Sequence, residues 1–499
     1  MPKVISTMLT ILIFLPILGS LLIPFIRSYT QCIKTLAIII TFAELLLSIW
    51  IFSSFSLSTP GFQFVEKYDW VPTLGITYQL GVDGLSMPLV LLTTLLFVCA
   101  VSISFSVKDR IAEYFFWFLV LETSVLGVFL SLDLVLFFIF WELELIPMYF
   151  IISIWGSGRK EYSAMKFVIY TLFGSAFMLI GLLITGFSAG TFNIEELLKL
   201  PVSNSILSIA PVYVFLLFFI AFAIKLPTWP FHSWLPDAHT DAPTAGSVIL
   251  AGVLIKMGGY GIIRICVQIF HQEAKTLSLL IVFLGTFSLI YGAIITFRQT
   301  DIKKLIAFSS VSHMGIVLLG ISAYKSDIPE IASFGLQGAA LQMFAHGTIT
   351  GLLFLSIGLI YDRLHTRDIS KLNGLVYRSP IISLFFVIGA MASLGLPGFS
   401  GFVAEITVFM AVFGVWTWFT VISVFAIVFT AGYLLWLIQR TVFGDDLGYD
   451  KDLPKLHSYE YVPALLLVAS IIILGVYPNI IFEIFEQSII PFVNNTTGV

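Results

Sequence analysis

Five charged residues interrupt apolar stretches that are otherwise long enough to cross a lipid bilayer. They are Glu142, Glu144, Lys225, Lys256 and Glu405. A charged side chain at the centre of a spanning helix costs about 2.5–3.5 kcal/mol even on the most lenient scale. Such residues usually face the interior of a helix bundle, pair with one another, and mark ion pathways or proton relays. The sequence therefore predicts a buried, charged pathway through a membrane protein.

Four more ionisable residues occur in similar apolar settings: Glu122, Lys166, His313 and His346. Lys166 lies near a predicted helix end, where a lysine can extend its ammonium to the membrane surface, and the same alternative applies to Lys256. For the two histidines, a polar contact between helices competes with a role in proton transfer.

The composition excludes a soluble globular protein and a disordered one. Of 499 residues, 59% are hydrophobic and only 11% are charged, and the mean hydropathy is +1.03. Apolar runs of about 18 or more residues predict an all-α polytopic membrane protein with about fourteen transmembrane helices. The spans are expected to start near Met8, Lys34, Leu85, Tyr114, Leu134, Met165, Ile209, Ala245, Leu277, Ile302, Ile331, Ile381, Val415 and Val462.

Loop charge predicts the orientation of these spans. Of the 25 Lys and Arg residues, sixteen fall in loops on one side of a fourteen-span chain, six fall on the other, and three lie in or near the bilayer. Because cytoplasmic loops carry an excess of Lys and Arg, both termini are expected to face away from the cytoplasm, stroma or matrix.

The sequence contains no pattern typical of a redox cofactor or a metal. Cys32, Cys99 and Cys266 are far apart, so no iron–sulfur or zinc spacing exists. His232 and His239 lie seven residues apart beside two aspartates, but a bend in the chain explains them better than a metal site. No glycine-rich phosphate loop follows a strand, because no strand is expected.

Two helices are predicted to be broken, at Lys225–Pro230 and at Gly395–Gly398, because proline removes a backbone donor and clashes with the preceding turn. Each break falls in the fourth helix of a five-helix unit. Five is odd, so the two units have opposite topology, and paired breaks in inverted repeats indicate a transport site at the middle of the membrane. Proline kinks in plain packing helices remain an alternative. The expected divisions are an N-terminal three-helix segment at 1–112, a first repeat at 113–270, a second repeat at 271–441, and a loop, C-terminal helix and tail at 442–499.

The charges fit this framework. Lys225 lies at the first break, and Glu405 lies shortly after the second. Glu142 and Glu144 are two residues apart, about 200° around one helix, so they cannot both face one partner. Lys256 lies among glycines, which allow close helix approach.

Seven motifs lie at these charged and broken positions. They are WELELIP at 141–147, KLP at 225–227, WLPDAH at 234–239, APTAGSV at 242–248, LIK at 254–256, SSVSHMG at 309–315 and GFVAE at 401–405. Together they resemble the antiporter-like proton-pumping subunits of complex I, most of all chain 4, which is called NuoM in bacteria and NdhD in cyanobacteria and chloroplasts. The resemblance covers essentially the whole chain. The doubled glutamate resembles the photosynthetic branch, whereas APTAGSV resembles the respiratory branch.

This resemblance implies roles for matched residues. Glu142 resembles the family's carboxylate of the fifth helix, Lys225 and Lys256 its lysines of the seventh and eighth, and Glu405 the charged residue of the twelfth. Glu142 would then tune the proton affinity of Lys225, and a proton would leave near Glu405. The implied proton pathway comprises Glu142, Lys225, Lys256, His313, His346 and Glu405, with Glu144 and Glu122 as further candidates.

The resemblance also implies where the redox chemistry occurs. This chain would bind no cofactor, whereas NAD(P)H or ferredoxin, iron–sulfur clusters and quinone would belong to partner subunits. Its partners would be other antiporter-like subunits of the membrane arm, lipids and, indirectly, the peripheral redox arm, without nucleic acid. Its location would be a thylakoid membrane or otherwise a bacterial plasma membrane. A subunit of a Mrp-type cation/proton antiporter and a scaffold subunit that has lost transport are the alternatives.

Overall fold

A computed structural model describes residues 7–200, 209–445 and 453–497. Lys3 and Lys451, two of the loop cations in the orientation count, lie outside these ranges. The first five spans contain six α-helices, because the fifth span is divided in two. They are α1 (Met8–Leu22), α2 (Thr30–Ser54), α3 (Ser86–Ile103), α4 (Ile111–Leu130), α5 (Leu134–Leu143) and α6 (Leu145–Trp155).

The middle of the chain continues with helices of very different lengths. They are α7 (Lys160–Ala189), α8 (Ile194–Leu197), α9 (Pro211–Lys225), α10 (Trp234–Asp241), α11 (Thr244–Ile249), α12 (Ile255–Gly261) and α13 (His271–Thr276). The π-helical segment Leu250–Leu254 joins α11 to α12, and a second one, Ile262–Val267, follows α12, so that all four form the span Thr244–Val267.

The remaining helices are mostly long. They are α14 (Ser278–Thr296), α15 (Ile302–Ser322), α16 (Pro329–Leu364), α17 (Leu375–Arg378), α18 (Pro380–Ser393), α19 (Ser400–Phe413), α20 (Thr417–Thr441), α21 (Ser458–Val476) and α22 (Asn479–Thr497).

The expected number of spans and the two helix breaks are confirmed. Within the described residues, 12 helical spans are long and apolar enough to cross a membrane. Two more spans are divided: α9 ends at Lys225 and α10 begins at Trp234, and α18 ends at Ser393 and α19 begins at Ser400. The twelve long spans and the two divided ones make fourteen. The protein is therefore an all-α polytopic membrane protein in its spanning part.

A β-hairpin outside the spans corrects the expectation that the chain contains no strand. Strands β1 (Gln63–Val71) and β2 (Ile76–Val82) pair in antiparallel register. The connecting turn contains Gly75 at φ 68°, a left-handed conformation that glycine adopts without strain. This segment lies between the second and third spans, where long apolar runs give no indication of a strand.

The C-terminal helix α22 corrects a second expectation, since residues after the last span were treated as a polar tail. Its buried side chains recur at helical spacing and pack on α16. They are Ile481, Ile484, Phe485, Ile489 and Val493. A long amphipathic helix of this kind is too polar to register as a membrane span, but its apolar stripe is visible in the sequence.

The most enclosed part of the bundle is formed by two spans, Thr244–Val267 and Pro329–Leu364, each completely buried over its most apolar window. Helix α16 packs against α15, α18, α19, α21 and α22. By contrast, α1 and α2 are mostly exposed on one side. Any polar residue on the central spans is therefore shielded from lipid, which is the condition under which ionisable side chains persist at membrane depth.

Candidate functional site

The first break brings two opposite charges together. Lys225 is the last residue of α9, and its ammonium donates a hydrogen bond to the carboxylate of Glu144. Both side chains are fully buried, at 1% and 0% exposure. A cation at a helix C-terminus is also stabilised by the carbonyl groups that the helix leaves free. The pair is a buried ion pair at the point where the helix stops.

Glu144 occupies a second interruption. It lies at the turn between α5 and α6, three residues before Pro147. Because proline has no N–H to donate, the hydrogen-bond ladder is weakened at this point, and Glu144 is released from regular helix geometry. The sequence alone did not identify this break.

The pairing of Lys225 with Glu144 corrects the expectation that Glu142 is the partner of Lys225. The two glutamates diverge around the helix axis, as predicted, but Glu142 turns toward Ser175 on α7. It is only partly buried. Motif similarity pointed to the first glutamate of the sequence Glu-Leu-Glu, and the turn after Leu143 is what redirects the second one inward.

The break after Lys225 is held by side chains that replace lost backbone hydrogen bonds. Trp234 Nε1 donates to the carbonyl oxygen of Ile224 at 2.9 Å. The backbone N–H of Trp229 donates to Ser288 Oγ at 3.0 Å. Buried peptide groups must find such partners, so the irregular segment is a fixed part of the fold.

Lys256 lies at the centre of the most buried span. Its Nζ donates to the carbonyl oxygen of Ala251, which belongs to the first π-helical segment, and lies 2.8 Å from Nδ1 of His346 on α16. π-Helical turns leave carbonyl groups outside the regular ladder and are frequent at functional sites. Lys256 thus has no carboxylate partner among the described residues, and its contacts are a carbonyl oxygen and an imidazole nitrogen.

The row of polar groups continues from His346 through His313 to Glu405. The two imidazole rings are 5.4 Å apart between centroids. Nε2 of His313 lies 3.7 Å from a carboxylate oxygen of Glu405. The three side chains are almost fully buried, so the row from Lys256 to Glu405 lies entirely inside the protein.

Each ring nitrogen of His313 lies beside a hydrogen-bond acceptor. Nδ1 lies 2.8 Å from the carbonyl oxygen of Ser309, and Nε2 lies 3.1 Å from that of Ser393. Both neighbours are acceptors, so both ring nitrogens make hydrogen bonds only when each carries a hydrogen. The charge of such an imidazolium is compensated by Glu405. Ser393 is the last residue of α18, so the second helix break supplies one of these acceptors.

The second break also makes space for Glu405. Gly395 adopts φ 78° and Gly398 adopts φ 97°, conformations that other residues rarely adopt. A Cβ atom added to Gly395 would lie 2.8 Å from Oε2 of Glu405. The Gly-Leu-Pro-Gly sequence thus both interrupts the helix and keeps the carboxylate unobstructed.

A small cavity lies beside His346, His313 and Glu405. It measures about 10 Å³ and is lined by His313, Gln342, His346 and Glu405, among others. Nε2 of His346 is buried, and no hydrogen-bond partner for it occurs in the described chain. A cavity of roughly 10–15 Å³ with polar walls holds one water molecule. A single water would therefore bridge His346 to the His313–Glu405 pair.

A larger cavity of about 180 Å³ opens at the end of the bundle that carries most loop cations. It is lined by Lys303, Asp362 and Arg367, among others. Lys303 is 6% exposed, and its ammonium donates to the carbonyl oxygen of Ala242. The sequence placed Lys303 among the solvated loop cations, and only its packing in the fold reveals that it is buried.

His239 lies between this cavity and the row. Its ring stacks on Phe354 with centroids 4.8 Å apart. The ring also interacts electrostatically with Lys303 and Lys256. Neither ring nitrogen has a hydrogen-bond partner in the part of the chain that the structure describes. The sequence predicts only a bend in the chain around His239, and the WLPDAH motif does not indicate that the ring lies between the cavity and the row.

The opposite end of the bundle contains a cavity of about 580 Å³. At its base, the guanidinium of Arg264 contacts Asp83 at 2.5 Å and Gln268 at 2.7 Å. Burial and the positive charge of Lys275 lower the pKa of His271, which also lines this cavity. Because α3 runs from Ser86, beside this cavity, to Ile103, beside the Lys303 cavity, the two cavities open at opposite ends of the helices.

The other candidates lie outside the row. Lys166 pairs with Asp237 at 2.7 Å, and both are about one-fifth exposed, so Lys166 has a carboxylate partner instead of reaching to the membrane surface. Glu122 lies beside Glu44 on α2. Within the described ranges there is no group of three His, Cys, Asp or Glu residues that could hold a metal ion.

Comparison with known proteins decides the family. Residues 131–430, more than half of the chain, match the model of the NADH:quinone oxidoreductase/Mrp antiporter transmembrane family. The chain belongs to this family. The matched region includes both broken helices and every residue of the row.

Individual members of this family resemble the chain along almost its whole length. NADH-quinone oxidoreductase subunit M of Rhodobacter capsulatus is 39% identical over 98% of this chain and 97% of its own length. NAD(P)H-quinone oxidoreductase chain 4 1 of Synechococcus elongatus is 39% identical over 96% of this chain and 90% of its own. A chain in the structure of respiratory complex I from Thermus thermophilus with bound NADH superposes with a TM-score of 0.86, at 27% identity, covering 98% of this chain and 99% of that one.

Proposed function

We propose that this chain is a proton-translocating subunit in the membrane arm of a complex I-type NAD(P)H or ferredoxin:quinone oxidoreductase. The observation that carries the proposal is the buried row from Lys256 through His346 and His313 to Glu405, in which adjacent titratable groups lie within direct or single-water reach. The near-full-length similarity to quinone oxidoreductase subunits supports the same conclusion.

The row is built so that a proton can move through it. A proton taken up at the Lys303 cavity reaches Lys256 by way of His239 and then passes to His346. His346 accepts at Nδ1 from the Lys256 ammonium and presents Nε2 to the small cavity, so it relays a proton by exchanging tautomers. From there the proton reaches His313 and Glu405 and leaves beyond the second helix break.

The Lys225–Glu144 pair regulates proton transfer in this proposal. While Glu144 contacts Lys225, the carboxylate favours the charged ammonium. When a charge change in a neighbouring subunit weakens that contact, the lysine is left as a desolvated cation and tends to release its proton. Such electrostatic coupling needs no redox centre in this chain. Glu142, partly buried next to the pair, adds to the negative field without contacting Lys225.

The redox chemistry belongs to partner subunits in this proposal. NAD(P)H or ferredoxin, iron–sulfur clusters and quinone are then held outside this chain, which contacts other antiporter-like subunits of the membrane arm. We further propose the repeat boundaries at 113–270 and 271–441, because each unit contains one broken helix and one side of the polar row.

The last part of the proposal concerns which membrane contains the complex. The doubled glutamate of WELELIP and the similarity to a cyanobacterial chain 4 favour a thylakoid membrane and plastoquinone. The equal identity to a subunit of Rhodobacter capsulatus fits a bacterial plasma membrane equally well. The protein that co-purifies as the electron-input module distinguishes the two, since its cofactors differ between NADH and ferredoxin oxidation.

A Mrp-type antiporter subunit is the second candidate, and the observation that favours it is that the matching family includes such antiporters. Membrane vesicles that contain the native complex separate the two functions. We expect proton uptake driven by quinone reduction and abolished by a quinone-site inhibitor. Proton movement that follows an imposed sodium or potassium gradient, without dependence on quinone reduction, would support the antiporter instead.

Lys256→Met tests whether this chain carries the protons. The substitution keeps an unbranched side chain of similar length and removes the titratable group. We expect loss of most proton uptake at parental complex content, whereas Lys108→Met, in an exposed loop, has no effect. Normal proton uptake in Lys256→Met would support a scaffold role for this chain.

A further inference from the structure

Two carboxylates outside the row lie side by side on the second and fourth spans. Glu44 on α2 and Glu122 on α4 are both 0% exposed, and their carboxyl groups are within hydrogen-bond reach of each other. Neither helix carries a residue of the row. Both residues interrupt an apolar run in the same way.

The neighbouring helices contain no positive charge that could neutralise the pair. Helices α1 and α3, which pack against both α2 and α4, contain no charged residue at all. The cations on α2 and at the start of α4 have other partners. Lys34 donates to the carbonyl oxygen of Phe105 at 2.6 Å, and Arg110 contacts Glu113 at the exposed end of α4.

The remaining elements against α4 add negative charge or a cation that is already engaged. Helices α5 and α6 also pack against α4, and the charged residues of α5 and of the turn before α6 are the acidic Glu142 and Glu144. The central span also touches α4, but Lys256 is held by Ala251 and His346. An ionised carboxylate at Glu44 or Glu122 would thus have no free positive charge on the described elements that pack against it.

No other described residue donates a hydrogen bond to any of the four carboxyl oxygens. The adjacent hydroxyl groups on α2 are engaged elsewhere, since Thr41 donates to the carbonyl oxygen of Ala37 and Ser48 lies 2.7 Å from Thr94 Oγ1. A buried ionised carboxylate without a partner binds a proton instead, and a second carboxylate beside it strengthens this preference.

Protonation also satisfies the geometry. A neutral carboxylic acid carries an O–H donor as well as an acceptor, so two neutral acids supply donors to each other. A pair with both groups ionised has four acceptors and no donor. A pair with one proton retains a net negative charge in an apolar setting.

The geometry points to a second proton-binding site in this protein: Glu44 and Glu122 form a carboxylic acid pair that holds two protons at neutral pH, apart from the central row. This site ties the outer helix α2 to α4 without placing charge in the lipid-facing part of the bundle. It does not depend on the proposed route through Lys256, since it is defined by occupancy and not by transport.

Infrared difference spectroscopy of the purified whole complex tests the site. Spectra recorded at neutral and at strongly alkaline pH report the carbonyl stretch of protonated carboxyl groups, which disappears on ionisation. We expect the parent to show a protonated-carboxyl signal from this pair at neutral pH. Glu44→Gln and Glu122→Gln should each remove one component and shift the other, and the double variant should lose both.

Glu113→Gln is the matched control, because Glu113 is on the same helix α4 but is exposed and paired with Arg110. We expect its protonated-carboxyl spectrum at neutral pH to equal that of the parent. A double glutamine variant whose neutral-pH spectrum also equals that of the parent would overturn the proposal. These measurements use the resting complex, so their outcome is independent of whether the row pumps protons.

A second measurement on the double glutamine variant tests the absence of charge without relying on the spectra. If the pair is neutral, glutamine at both positions should leave the content of assembled complex on a native gel unchanged, because it keeps the shape and the hydrogen-bonding groups of a neutral acid. Failure of the Glu44→Gln/Glu122→Gln double variant to assemble, while Glu113→Gln assembles normally, would show that the site is charged or ligates a cation and would contradict the proposal.

Discussion

Lys225 and Glu144 form a buried ion pair at the junction of two interrupted helices, because α9 ends at the lysine and the turn between α5 and α6 contains the glutamate. Neither residue has the full set of helix hydrogen bonds around it. Irregular backbone at membrane depth is tolerated only where protein or a cavity surrounds it, and both interruptions lie inside the bundle.

The geometry of this pair predicts unequal effects of two neighbouring glutamates. Glu144→Gln leaves the ammonium of Lys225 without its counter-charge, and removing one partner of a buried pair commonly costs roughly 3–5 kcal/mol. We expect most quinone-coupled proton uptake to be lost. Glu142→Gln should cause a smaller loss, since Glu142 does not contact Lys225. The measurement is proton uptake by vesicles, normalised to complex content on native gels.

This order is the reverse of the one that motif similarity suggests. A larger loss in Glu142→Gln than in Glu144→Gln, at equal complex content, would show that the working state of the complex rearranges this region.

Lys303 is predicted to matter more than its neighbour Lys304. Lys303 is 6% exposed and lines the cavity at the cation-rich end, whereas the side chain of Lys304 is only partly buried. Lys303→Met removes a titratable group at the expected uptake site, so we expect at least a severalfold slower proton uptake. Lys304→Met should retain nearly parental rates. Equal rates for the two variants would place the uptake site elsewhere.

The contact between Arg264 and Asp83 is predicted to be a stability determinant. Asp83→Asn leaves the buried guanidinium with weaker partners, and breaking such a pair commonly costs roughly 3–5 kcal/mol. We expect a lower thermal unfolding temperature of the purified complex and a reduced complex content. Asp327→Asn is the control, because the Asp327 side chain is 99% exposed. A parental unfolding temperature in Asp83→Asn would contradict this role.

Much of this architecture was predictable from sequence, because span length and hydropathy are local properties. The fourteen spans, both proline breaks and the buried positions of Lys225, Lys256 and Glu405 followed from apolar runs and their interruptions. Partners are not local. Whether Glu142 or Glu144 reaches Lys225 depends on a turn that the apolar pattern does not reveal.

The residues that sequence analysis missed show the same limit. Lys303 follows Asp301 at a helix start and resembles a solvated cation, and only packing against the Ala242 segment buries it. Glu44 was overlooked although its apolar surroundings carry the same signal as those of Glu122. The hairpin and α22 lie outside the spans, where a search for long apolar runs has no power.

The orientation of the chain is predicted by its loop charges. Ser370 lies at the end of the bundle that carries most cations, and Ser58 lies at the opposite end. In a background in which the exposed Cys32 is replaced by serine, single cysteines at these positions should react with a membrane-impermeant reagent from opposite sides. Labelling of both positions from the same side would contradict a fourteen-span chain.

The most direct test of proton conduction through the row is the proton gradient formed by vesicles of the Glu405→Gln variant, energised through the native electron donor and compared at equal complex content. Glu330→Gln is the control, because Glu330 is exposed at the start of α16, about four helical turns before His346. We predict that Glu405→Gln assembles, because an amide still forms hydrogen bonds, but loses most of the gradient, while Glu405→Asp keeps part of it and Glu330→Gln keeps all of it. A gradient in Glu405→Gln equal to that of the parent would contradict proton transfer through Glu405.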